Sequence, residues 1–121
     1  MKQEIRVTNS EWHVMNCLWE APPQSLMQLV AVLGERVGWN KNTTYTIIKK
    51  CVEKGTIERR EPNFQCCPLI RREEAQAAAA AELVDKVFDG SASLLFASLL
   101  NGKQLSPEDI KRLRTMIDAM E

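Results

Sequence analysis

A chain of 121 residues, 45% of them apolar, has material for about one folded domain and one core. Its 16 basic and 16 acidic side chains cancel, so bulk charge gives no pull toward a polyanion and only local charge can. No apolar run reaches the roughly 18 residues of a membrane span, and "MKQEIRVTNSEW" lacks a secretion signal's apolar centre; we expect a cytoplasmic protein without membrane insertion.

The first element begins at "TNSE". Thr8 with Glu11 three residues on is a capping box, and it predicts a helix to about Glu20. Trp12, Met15 and Trp19 share one face while Val14, Cys17 and Leu18 fill another, so the helix reads as apolar nearly all round, with His13 partly buried among them. Ala21-Pro22-Pro23 stops it. Ser25 then caps a second helix in which Leu26, Leu29, Val30 and Leu33 recur at helical spacing, and Gly38 ends that helix. Trp39 packs at the corner.

Asn40 caps a third helix that closes at Lys54-Gly55. Thr44, Ile47, Ile48, Cys51 and Val52 fall on one face; Asn42, Thr46, Lys49 and Lys50 fall on the other, flanked by Thr43 and Tyr45. Solvated helix faces usually mix Lys with Glu. This one has no acid before Glu53, and it is rich in short polar side chains that form helices poorly. Such side chains let a backbone enter a major groove and reach base edges, with Lys on phosphate. Around it, residues 39–60 carry six basic side chains against two acidic.

After Gly55 the period changes to two. A strand around Ile57–Arg60, a turn at Glu61-Pro62-Asn63 and a return strand around Phe64–Cys67 make a hairpin, with Arg59 and Arg60 toward its tip. Three helices and such a hairpin predict a winged helix-turn-helix. Contacts to duplex DNA are then expected from Lys41, Asn42, Thr43, Tyr45, Thr46, Lys49, Lys50, Arg59 and Arg60.

From Arg71 the pattern is helical throughout: a long Ala-rich helix to Gly90, a short apolar helix, and a last one capped by Ser106 with Pro107 at its first position. Leu94, Leu95, Phe96, Leu99 and Leu100 lie within seven residues, and Ile110, Leu113, Ile117 and Met120 form a heptad-like seam. That surface is too large for a monomer to leave wet, so these residues are expected to form a homodimer interface. The fold class is therefore mainly α, with a winged helix-turn-helix domain over 1–70 and a three-helix dimerisation domain over 71–121.

Nothing points to catalysis: there is no Gly-rich phosphate loop, no His–Asp–nucleophile grouping and no facing carboxylate pair. No cofactor and no metal are expected. Cys17 and Cys51 read as core thiols; Cys66 and Cys67, adjacent on a strand, should point to opposite faces without bridging.

"TNSEWHVMNCLWE", the spacing of Trp39, Thr43, Thr46 and Glu53-Lys54-Gly55, and "PLIRREE" together resemble the penicillinase-repressor (BlaI/MecI/CopY) family over essentially the whole chain. The resemblance implies a dimeric transcriptional repressor on a dyad operator, with Thr43, Thr46 and Lys50 where the family reads or clamps DNA. It also implies a signal that ends repression. In the penicillin-responsive branch, a membrane sensor and protease system leads to cutting at an Asn-Phe bond in the short apolar helix; the aligned pair here is Ser98-Leu99. The copper-responsive branch carries a C-terminal cysteine cluster, whereas this chain has no cysteine after Cys67. Two alternatives remain beside the repressor: a winged-helix protein–protein adaptor, and a regulator gated at Cys66 and Cys67 by oxidant or metal.

Overall fold

The computed structural model describes residues 5–120, in the order α1 (Asn9–Glu20), β1 (Gln24–Ser25), α2 (Leu26–Val37), α3 (Lys41–Lys54), β2 (Ile57–Arg60), β3 (Gln65–Pro68), α4 (Arg72–Val87), α5 (Ala92–Asn101) and α6 (Pro107–Ala119). Two compact units divide at Ala79–Ala80, inside α4.

In the first unit α1, α2 and α3 enclose Val14, Met15, Leu18, Leu29, Leu33, Ile48 and Cys51, closed from the sheet by Ile57 and Cys66. Caps define each helix. Thr8 and Glu11 form the reciprocal capping box of α1, Ser25 and Gln28 do so for α2, and Asn40 Oδ1 accepts from Thr43 N at 2.8 Å for α3. Gly38 and Gly55 end α2 and α3 at φ 79° and 85°, a left-handed conformation that glycine adopts without penalty.

Three expectations change. The sheet has three strands, not two, in the order β1-β3-β2, with Gln24 opposite Cys66 and Ser25 opposite Gln65. The residues before α2 pair with the return strand of the wing and tie it to the core. Nor is α1 apolar all round: His13, Asn16 and Glu20 are exposed. His13 is not partly buried; it meets solvent and makes an edge contact with Trp39, ring centroids 5.6 Å apart.

Glu11 is 3% exposed, and its carboxylate accepts from Thr8 N at 3.1 Å and from Lys54 Nζ at 2.8 Å. Lys54 also donates to Arg6 O at 3.2 Å, so the end of α3 is fastened to the start of α1. Removing the cation from a buried pair strands the anion. Lys54→Met should cost about 2 kcal/mol in urea unfolding, below the 3–5 typical of fully buried pairs because the Lys54 side chain is 39% exposed. Glu11→Gln in the same chain should recover most of that loss; no recovery means the lysine acts by packing alone.

The first turn of α4 packs on this unit, with Ala75 buried. Nearby, Trp19 Nε1 donates to Ile70 O at 3.0 Å, and the Arg72 guanidinium lies 5.6 Å from the Trp19 ring.

The second unit holds the rest of α4 with α5 and α6. Ser91 caps α5, and Ser106 with Asp109 forms the capping box of α6, with Pro107 in its first turn. Among the described residues of this unit none is buried, and Leu94, Phe96, Leu100, Ile117 and Met120 are exposed, Met120 at 87%. Phe96, Leu100, Leu105, Ile110, Leu113 and Ile117 line an open apolar groove of about 250 Å³. No helix among the described residues is long and apolar enough to cross a membrane.

Candidate nucleic-acid interface

The inner face of α3 is fixed by the core. Thr44, Ile48 and Cys51 are fully buried and Ile47 and Val52 half-buried, which turns Lys41, Asn42, Thr43, Tyr45, Thr46, Lys49 and Lys50 outward, all exposed. Thr44 is in place through its methyl group, since its hydroxyl is buried with no hydrogen-bond partner. The first turn of α3 contains Lys41 and no acid, so the positive end of the helix dipole is left unopposed.

The cations near this face divide into two sets. Among the described residues, no carboxylate lies within ion-pair distance of Lys41, Lys49 or Lys50. Lys54, counted with them by charge alone, is bound to Glu11. Both wing arginines are also paired, Arg59 with Glu61 and Arg60 with Glu58. Strand alternation explains the partners: across the ladder Arg59 faces Cys66, on the buried side, while Glu58 and Arg60 flank that position on the other side. Adjacent in sequence, the two arginines therefore occupy opposite faces of the hairpin.

A side chain that spacing alone does not single out joins α3 to the wing. Phe64 takes the Arg59 guanidinium on its ring at 3.8 Å and meets the Tyr45 ring edge-on at 6.0 Å. Its φ is +48°, a left-handed conformation uncommon for a bulky residue and kept only where surroundings enforce it. The available signal was the string Glu58-Arg59-Arg60-Glu61, in which each arginine has an acid two residues away.

Among the four cysteines, Cys51 and Cys66 are fully buried, and desolvation pushes both thiols up to about 11. Cys17 is raised by the same cause, partly opposed by Arg36, whose Nη1 lies 3.6 Å from its sulfur. Cys67 is half-buried on the other side of β3. No group of three or more His, Cys, Asp or Glu among the described residues could hold a metal ion.

An outward-facing third helix beside a three-stranded wing defines a winged helix-turn-helix protein. Two solved structures share the fold: the DNA-binding domain of the repressor BlaI (TM-score 0.55, 20% identity, covering 61% of this chain and 93% of that one), and the Bacillus licheniformis BlaI monomeric form in complex with the blaP half-operator (TM-score 0.52, 20% identity, with the same coverage). The methicillin resistance regulatory protein MecI of Staphylococcus aureus (strain N315) is 25% identical over 114 residues, 93% of each chain. The penicillinase repressor family model matches residues 7–119, and the chain belongs to that family, one of DNA-binding repressors and not of enzymes.

Proposed function

We propose that this protein is a sequence-specific transcriptional repressor that binds a dyad operator as a homodimer and is released by a signal. The observation that carries the reading is the set of exposed lysines on α3, Lys41, Lys49 and Lys50, without counter-ions among the described residues and grouped around Asn42, Thr43 and Thr46. A duplex supplies what that face lacks. Lysines meet phosphate, and the short amide and hydroxyl groups both donate and accept at base edges. Tyr45 borders the same face and is joined through Phe64 to Arg59, while Arg60 stands on the opposite face of the hairpin. The related BlaI structure with a half-operator supports DNA as the partner.

Dimer formation follows from the second unit. Helices with no interior of their own are stabilised by a second copy, and two-fold pairing would set two α3 helices one or two DNA turns apart. In this reading the interface is formed by Leu94, Leu95, Phe96, Leu99, Leu100, Ile110, Leu113, Ile117 and Met120. Release follows an antibiotic, metal or other signal, with a membrane sensor and protease one candidate partner; Ser98-Leu99, the pair aligned with the family's cut bond, departs from Asn-Phe and lies within α5 with Ser98 exposed. The cysteine-gated alternative has less support, because Cys66 is buried with a raised pKa, and a reactive thiol is exposed and acidic.

Selection from a pool of randomised duplexes tests the reading. The protein should enrich a two-fold motif whose half-sites lie about 10 or 21 base pairs apart, and the complex should survive excess random competitor. An adaptor that uses the fold for proteins alone enriches nothing.

A further inference from the structure

Among the described residues, the lysines on α3 have no carboxylate partner, whereas the arginines of the wing do. Arg59 is held by two partners, the Glu61 carboxylate and the Phe64 ring. Its Nε and Nη2 lie 2.8 and 2.7 Å from Glu61 Oε1, and its guanidinium carbon lies 3.8 Å from the centre of the Phe64 ring. Glu61 is itself held, since its second oxygen accepts from Phe64 N at 3.3 Å. The Arg59 hydrogen bond, with that backbone bond behind it, keeps the Glu61 carboxyl below its ordinary range, so it stays ionised as a partner. The strained backbone of Phe64 completes a preset clamp at the tip of the hairpin.

We propose that Glu61 is a specificity-setting residue: in the free protein it engages the Nε and Nη2 donors of Arg59 and fixes the guanidinium against Phe64, so that only a duplex whose backbone fits the wing draws the arginine away. The proposal rests on the operator-binding reading above. A random duplex can lie against the free lysines of α3 in many registers, and in those complexes Arg59 stays with Glu61. A fitting duplex places phosphate where the arginine can exchange one anion for another. The wing contact thus forms mainly on the right sequence, although phosphate itself carries none.

The consequence of Glu61→Gln differs between duplexes. On random DNA the variant gains a contact the native protein never makes, so affinity should rise roughly three- to tenfold and the salt slope should steepen by about one unit. On the duplex selected by the native protein the contact exists in both proteins. Only the cost of breaking the pair is saved, so affinity should rise less than about threefold with the slope unchanged. The ratio between the two duplexes therefore falls.

Fluorescence polarisation with a labelled random 30-base-pair duplex and the selected duplex, each over a KCl series, reads both quantities. In an Arg59→Ala background the Glu61→Gln gain should vanish. If the gain persists there, the carboxylate acts by general repulsion and the gating role is overturned. An unchanged random-duplex slope overturns it too, and leaves operator binding standing if the native protein still prefers the selected duplex. A native protein that binds neither duplex overturns both.

Discussion

Replacing Lys49 and Lys50 together with glutamate should lower duplex affinity on the order of a hundredfold at physiological salt. Both lysines leave the exposed face of α3, and among the described residues neither is engaged by a carboxylate, so no internal pair absorbs the change. Two contacts to phosphate become two repulsions, and the slope of log affinity against log salt should flatten by about two units. The loss should be equal on random and selected duplexes, because phosphate is common to both. Thr46→Ala is the contrast within the same face: truncation there should reduce preference for the selected duplex and barely move the salt slope. A double glutamate variant that binds within twofold of the native protein would remove α3 from the interface.

Ile117→Glu should raise the dimer dissociation constant at least a hundredfold, about 3 kcal/mol, because a carboxylate would have to enter an apolar seam unpaired. Ile117 is 58% exposed in the single chain and lines the same groove as Phe96, Leu100, Ile110 and Leu113. Sedimentation equilibrium reads the association directly. The three tryptophans, Trp12, Trp19 and Trp39, all lie in the first unit, so their emission reports that unit alone and should be unchanged. Unaltered association in the variant would place the subunit contact elsewhere.

The helical boundaries of this chain were legible because they rest on local chemistry. Thr8 and Glu11, Asn40, Gly38, Gly55 and Ser106 each act within one turn of the element they bound. The two faces of α3 were legible for the same reason, since one period of 3.6 residues sorts them. What escaped depends on long-range pairing. β1 is two polar residues, too short for any period, and exists only because Cys66 and Gln65 stand opposite it. Lys54 counts as one more positive charge until the fold brings Glu11 to it from 43 residues away. His13 sits among apolar neighbours in sequence, yet the helix turns it outward. The pairing of the wing arginines was not read from the sequence, although each has an acid two residues away; the left-handed turn at Asn63 and Phe64 brings Phe64 against the Arg59–Glu61 pair.

The lack of an interior among residues 80–120 bears on cellular dosage. When two tails supply one another's core, assembly and folding of that half form one equilibrium, and abundance sets its position. At low copy number the tails should be frayed and open to housekeeping proteases; as copies accumulate they shield one another. If the protein pairs on a dyad as proposed, occupancy should climb with more than the first power of expression, giving a threshold without an added ligand.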